Sequence, residues 1–368
     1  MTRGRKIIII AVSALLLLLV VAWAQLSGFY FDRRDFSNRR EPVWGVSYRQ
    51  LYARYLGIDP KETALAIFDD LGAKYIRLFI PWNEIEAAGQ GQFDFSFFDW
   101  FVKEAEKRNA KLIINIGPRT AGWPEFHLPV WTLGLSDKDR KNKALVMIGE
   151  TVGRYKNSPA VEMWQVENEP LFNWRQLKEV EKIYGIELKV PDPEFLRDEI
   201  NTVRVEDSDH PVIITDSGEL SSWEEAAKFG DYLGSTLYRF VWQRIYGNFG
   251  IRLYYGYIPF FSWASPAYYH NKAVNLGFDL DKVFIMELQA EPWIRNESII
   301  NSSPELQTKI FGVRQFKDNI DFARRTGFPR AYLWGAEWLW WLKEKQGNVD
   351  MWEEARKLFA EDNLFRLR

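Results

Sequence analysis

From Pro42 onward, short runs rich in β-branched and aromatic residues alternate with longer amphipathic runs, and the alternation repeats eight times. A strand followed by a helix, over and over, can bury its apolar faces only as a parallel sheet covered by crossover helices, and eight such units in one run predict a single (β/α)₈ barrel. The strand-like runs are 43–47, 74–80, 111–116, 161–166, 212–215, 232–237, 283–286 and 331–334. Helical spacing is expected at 60–71, with Asp59 as a cap before Pro60, and at 93–109, 137–155, 193–206, 223–229, 305–326 and 351–362. The aromatic, glycine-containing stretch between Tyr238 and Asp281 is expected to hold a helix plus a loop that elaborates a cleft. No repeat or low-complexity linker interrupts 42–368, so this region is taken as one catalytic-size domain.

Two of the strand-like runs end abruptly on carboxylates. The run 161–166 stops at Glu167-Asn168-Glu169-Pro170, where a proline cannot extend the ladder, and the run 283–286 stops at Glu287. Carboxyl ends of barrel strands are where such folds keep their chemistry. Either Glu alone could be a solvated or capping side chain; as a pair on separate βα units they are candidates for joint acid and base work. Arg77 lies inside the apolar run Tyr75-Ile76-Arg77-Leu78-Phe79. A bare guanidinium there is costly, so it requires a carboxylate partner, in a site or in a structural ion pair.

Asn168-Glu169-Pro170 ending a strand, with a later strand-terminal Glu, resembles the clan A glycoside hydrolases, most nearly the cellulase-like members around family 5, over the chain from about Pro42. The resemblance implies a barrel in which Glu169 is the acid/base and Glu287 the nucleophile of a retaining β-glycosidase, their carboxyls about 5 Å apart. It implies further that Arg77 supports Glu287, that Asn168 bonds the sugar 2-hydroxyl, that Tyr238 contacts the nucleophile and that Trp334 is a platform under the reacting sugar. The family often has a His after the third strand; here His127 stands ten residues beyond Gly117, in a loop with Arg119, Trp123 and Pro124. The usual surroundings of the nucleophile are replaced by Leu288-Gln289-Ala290-Glu291-Pro292-Trp293, which makes Glu291 a rival. Glu167, two residues before Glu169, can share its face and raise its pKa. Glu337 reads as a sugar-binding carboxylate or a helix cap.

Composition narrows the partners. A net charge of −2 gives none of the basic excess that nucleic-acid binding needs. With no cysteine and three scattered histidines, Cys-ligated zinc, thiol nucleophiles and His-rich metal centres are excluded or disfavoured, and no cofactor is called for. The 17 tryptophans are more than a core of this size demands; Trp82, Trp123, Trp131, Trp174, Trp242, Trp293 and Trp334 fall near strand ends, which suits stacking against sugar rings of a carbohydrate substrate.

At the start of the chain, Arg3, Arg5 and Lys6 precede a nearly unbroken apolar run over 7–26, long enough to cross a bilayer. Residues 1–28 therefore read as a membrane anchor or a signal peptide, with Ala22-Trp23-Ala24 offering a cleavage site after Ala24 and the length of the run favouring an uncleaved anchor. Either reading puts the catalytic domain outside the cytoplasm, tethered or secreted, with 29–41 as a juxtamembrane linker. The expected activity is retaining hydrolysis of an oligo- or polysaccharide; a non-hydrolytic glycan-binding barrel and a transglycosidase are the alternatives.

Overall fold

The computed structural model describes residues 3–26, 34–172, 177–246, 249–254, 265–294 and 298–366. Eight parallel strands close into a barrel: β1 (Val43–Tyr48), β2 (Tyr75–Phe79), β3 (Lys111–Ile116), β4 (Val161–Val166), β5 (Val212–Asp216), β6 (Tyr232–Leu237), β9 (Val283–Gln289) and β10 (Arg330–Trp334), with β10 pairing back onto β1. The remaining two strands, β7 (Phe240–Tyr246) and β8 (Phe249–Tyr254), form a separate antiparallel pair.

Side chains alternate along each barrel strand, and the alternation sorts the core. Ile113, Met163, Ile213, Phe284, Met286 and Tyr332 fill the inside, while a much larger apolar cluster packs between the strands and the surrounding helices. Two positions further along the same strands the inward residues become polar: Arg77, Asn115, Gln165 and Thr215. Above these, Phe79, Ala121 and Trp334 form a small apolar group at the mouth, with Tyr238 against it. A polar layer between an apolar floor and an aromatic rim costs desolvation unless its members satisfy one another, so this is where a site is expected.

Strand β9 carries an irregularity. Its pairing with β6 runs Ser235 to Ile285 and then Thr236 to Glu287, and its pairing with β10 shifts over the same stretch. One extra residue against both neighbours is a β-bulge, a device that re-aims side chains. Met286 stays in the interior cluster and its neighbour Glu287 reaches the polar layer as well.

Several elements differ from the sequence expectation. The helix expected over 305–326 is two, Pro304–Ile310 and Val313–Thr326, because Gly312 is extended and Phe311 turns into the core against Phe240 and Trp338. The helix expected over 223–229 shrinks to a single turn at Ala226–Lys228, too short a segment to sustain α-helical hydrogen bonding. Between Tyr238 and Asp281 the strands β7 and β8 precede the helix Pro266–Asn275, where aromatic and β-branched content prevails over the expected loop. Helices Gln50–Tyr55, Leu177–Tyr184 and Ala336–Gln346 were not expected. Asp59 does cap its helix, accepting from the N–H groups of Lys61 and Glu62 at 2.8 and 2.9 Å.

Before the barrel stands the helix Arg3–Leu26, whose stretch Gly4–Ala22 has mean hydropathy 2.5 and packs against nothing in the described structure. By length and composition it is able to span a membrane; a signal sequence would meet the same description.

Candidate active site

The site is built on the peptide that follows β4. Glu167 and Glu169 both adopt left-handed backbone conformations, with φ of 59° and 46°. For non-glycine residues such conformations cost about 1–3 kcal/mol each and persist only where the surroundings over-determine them. Here the surroundings do. The Glu167 N–H donates to Ile116 O at 2.8 Å, and the Glu167 carbonyl accepts from the side-chain amides of Asn115 and Gln165 at 2.9 and 2.8 Å. Glu169 donates its N–H to Thr215 Oγ1 at 2.9 Å and accepts at its carbonyl from Arg119 Nη1 at 2.8 Å. Pro170 then ends the strand direction, as the sequence implied.

Arg77 is the centre of the polar layer. Fully buried, it donates from Nε to Gln165 Oε1 at 2.7 Å, from Nη2 to Asn168 Oδ1 at 2.8 Å and from Nη1 to Glu287 Oε1 at 2.9 Å. The Tyr238 hydroxyl donates to the other oxygen of Glu287 at 2.6 Å. Two donors, one of them cationic, thus fix the Glu287 carboxylate, and the same guanidinium fixes Asn168. Because Asn168 accepts through Oδ1, its Nδ2 is the side-chain group left to donate.

Glu169 is half-buried, and its pKa lies well above the ordinary carboxylate range. Burial is the largest cause, followed by the negative charges of Glu287 and Glu125, with Arg119 acting against them. The two strand-end glutamates are therefore close enough to feel each other. Glu125, whose pKa is raised by burial and lowered again by Arg119, was missed by sequence reasoning; Arg119 donates to it at 2.8 Å from Nε. Nothing in the loop sequence singles it out. Only the fold of 117–127 over the mouth brings it next to Glu169.

The other expected positions divide. Trp334 sits at the mouth at the end of β10, its ring 6.0 Å from Phe79 in an edge-on contact and covered at 3.9 Å by the Arg49 guanidinium. Trp123 is 59% exposed and, with His127, Tyr52, Tyr55 and Phe79, lines a cavity of about 440 Å³ beside that rim. His127 is buried; its pKa falls to about 4 because burial outweighs two backbone hydrogen bonds, so its imidazole is neutral at neutral pH. Trp293, 39% exposed, lies 4.9 Å from the Tyr238 ring. Trp82 is instead fully buried and offers no open stacking surface, and it meets the half-buried Trp131 edge-on. Trp174 and the Trp242 side chain lie outside the described residues.

Three further carboxylates lie around the site. Glu291, the rival to Glu287, is held by Arg49 at 3.1 Å. Glu337, in the first turn of the helix Ala336–Gln346, is 0% exposed and bonded to both the side chain and the backbone N–H of Arg49, so it is not open to a sugar. Glu167 does not share the face of Glu169: the left-handed turns break the alternation, and its carboxylate faces the Arg119 N–H at 3.0 Å and the carboxyl of Glu199. Among the described residues, no group of three or more His, Asp or Glu side chains is placed to hold a metal ion.

This geometry can be set beside known proteins. The structure superposes on the cold-adapted β-galactosidase of Rahnella sp. R3 with a TM-score of 0.54 at 14% identity, covering 91% of this chain and 57% of that one. It matches GH5_18 from Streptomyces cattleya, in complex with GlcNAc, with a TM-score of 0.53 at 13% identity over 80% and 70% of the two chains. Endo-glycoceramidase II from Rhodococcus sp. gives a TM-score of 0.50 at 14% identity over 82% and 74%. The fold is thus the closed eight-stranded parallel barrel that these glycosidases share. In sequence, an 85-residue stretch is 32% identical to the ergosteryl-β-glucosidase of Saccharomyces cerevisiae, over 21% of this chain and 11% of that protein. This chain therefore spans about a tenth of that curated relative and somewhat over half of the Rahnella enzyme. No family model matches the sequence.

Proposed function

We propose that this protein is a retaining β-glycoside hydrolase acting on an oligo- or polysaccharide, with Glu169 as acid/base and Glu287 as nucleophile. The observation that carries the reading is Arg77, which grips Glu287 and Asn168 with one guanidinium and so ties the ends of two distant strands into one site. In the first step a Glu287 oxygen bonds to the anomeric carbon while the carboxyl of Glu169 protonates the departing glycosidic oxygen. In the second, Glu169, now a carboxylate, takes a proton from water, and the resulting attack releases Glu287 and restores the starting states. The raised pKa of Glu169 suits the first role, since the acid must hold its proton near neutral pH.

Asn168 Nδ2 is the donor for the sugar 2-hydroxyl, Tyr238 holds the nucleophile in line and Trp334 supports the reacting ring. The cavity lined by Tyr52, Tyr55, Trp123 and His127 is of the size that ligand pockets occupy and gives room for sugar beyond that ring, which favours an oligomeric substrate. We assign 42–368 as the catalytic domain, outside the cytoplasm, and 1–28 as anchor or leader.

The test is a panel of β-linked polysaccharides and aryl β-glycosides given to the full chain in detergent, beside Glu169→Ala and Glu287→Ala. Reducing sugar released by the parent and by neither variant, with retained anomeric configuration, is the expected result. Tight binding of one glycan with no turnover would replace the reading with a glycan-binding barrel. Transfer to an added acceptor sugar in preference to water would make the protein a transglycosidase.

A further inference from the structure

Helix Pro193–Glu206 packs outside the barrel against β4, and it buries a carboxyl that the reaction does not use. Glu199 is 1% exposed, and its Oε1 has no hydrogen-bond partner. The cations lining the same cavity pair with other carboxylates: Arg119 with Glu125 at 2.7 Å, Lys141 with Asp137 and Asp192 at 2.7 Å each, Arg140 with Asp137 at 3.1 Å and Lys189 with Asp192 at 3.1 Å. What Glu199 meets is Glu167, 6% exposed, one residue before the Asn168-Glu169 pair. Two buried carboxyls in contact cannot both ionise, so they hold one proton between them. Burial pushes both pKa values up, and the charge of Glu167 adds to the rise at Glu199.

The pair is seated rather than accidental. A Cβ at Gly117 would stand 3.0 Å from Glu167 Oε1, and Gly117 has φ of 118°, so the strand end is cut back to admit the carboxylate. The other oxygen of Glu167 accepts the Arg119 N–H at 3.0 Å, and the Arg119 guanidinium holds the Glu169 carbonyl at 2.8 Å. A continuous set of contacts therefore runs from the outer helix to the peptide that carries Glu169.

We propose that Glu199 is a positioning residue for Glu169: its carboxyl donates to the Glu167 carboxylate, which fixes Arg119, which in turn fixes the left-handed turn at Glu169. This rests on the reading of Glu169 as the acid/base. A loosened turn leaves the nucleophile in place and Asn168 still held by Arg77, and so displaces chiefly the proton donor. The loss must then depend on how much the leaving group needs its proton.

The test is kcat/KM of the full chain on aryl β-glycosides with poor and activated leaving groups, phenol against 2,4-dinitrophenol, for the parent, Glu199→Leu and Glu199→Gln. In Glu199→Leu the phenyl glycoside should lose about tenfold or more, as a misplaced group of about 1 Å can cost 10²-fold, while the dinitrophenyl glycoside is nearly unchanged. Glu199→Gln, whose amide N–H can still donate to Glu167, should restore most of the loss. The ratio of the two substrates is independent of how much of a variant is folded. Equal losses on both substrates, or a Gln variant as impaired as the Leu variant, would overturn the positioning role while leaving the glycosidase reading intact. A parent inactive on every aryl glycoside and polysaccharide would overturn both.

Discussion

Arg77 joins the two halves of the site, and its replacement should be felt twice. Removing one member of a buried charged pair leaves the other uncompensated and costs about 3–5 kcal/mol. Arg77→Met should therefore lower the denaturation midpoint and also cut kcat/KM, both read on the same preparation, whereas Tyr238→Phe, which removes one hydrogen bond to Glu287, should cost only about tenfold in activity. Glu169 makes an opposite prediction for stability. Its folded pKa is raised above the unfolded value, so its contribution is fully present below the ordinary Glu range and is lost as pH rises through the raised pKa. Glu169→Gln should then be more stable than the parent at neutral pH, with the gap closing in acid, and should remove the alkaline limb of the pH–rate profile. His127 has the reverse sign: with a folded pKa of about 4, its stability is present above the unfolded value near 6.5 and is lost as pH falls between the two. Denaturant melts of His127→Gln from pH 7 to pH 4 should show a flatter acid decline than the parent.

Among the elements, the strand ends do the positioning. The charge of Arg77 inside the apolar run Tyr75-Ile76-Arg77-Leu78-Phe79 was legible, and with it the need for a carboxylate partner. The bulge in β9 was not, because an extra residue in one strand is defined only against its neighbours, and it is what lets Met286 and Glu287 both face inward. Gly335, between β10 and the helix Ala336–Gln346, is the element-scale counterpart. It has φ of 127°, and a Cβ there would stand 2.7 Å from that of Glu291 and 3.0 Å from backbone atoms of Ala290 and Glu291. Gly335→Ala should cost at least about 1–3 kcal/mol by chemical denaturation and displace Trp334, the residue before it.

Across the whole molecule, the segment from Arg34 to Glu41 is bound to the end of the barrel where the strands begin. Phe36 stacks on His270 with centroids 3.6 Å apart, Arg39 donates to the Gly327 carbonyl at 2.9 Å and pairs with Asp281, and the Val43 N–H meets Pro329 O at 2.8 Å. The site opens at the opposite end. A chain lacking residues 1–28 should keep the parent's melting temperature, while a chain begun at Pro42 should melt lower, because it loses this packing; thermal melts of the two check it.

The sequence alone determined the barrel, the two strand-end glutamates and the buried Arg77, because these follow from local pattern: periodicity, a proline that stops a strand, a charge in an apolar run. The tertiary structure decided which carboxylates face each other. Glu125 reaches Glu169 through a loop that folds over the mouth, Glu199 reaches Glu167 from an outer helix, and Glu291 and Glu337 are drawn off onto Arg49. These pairings join positions far apart in the chain through closure of a sheet, and no local pattern encodes the distance between two side chains that only barrel closure brings together.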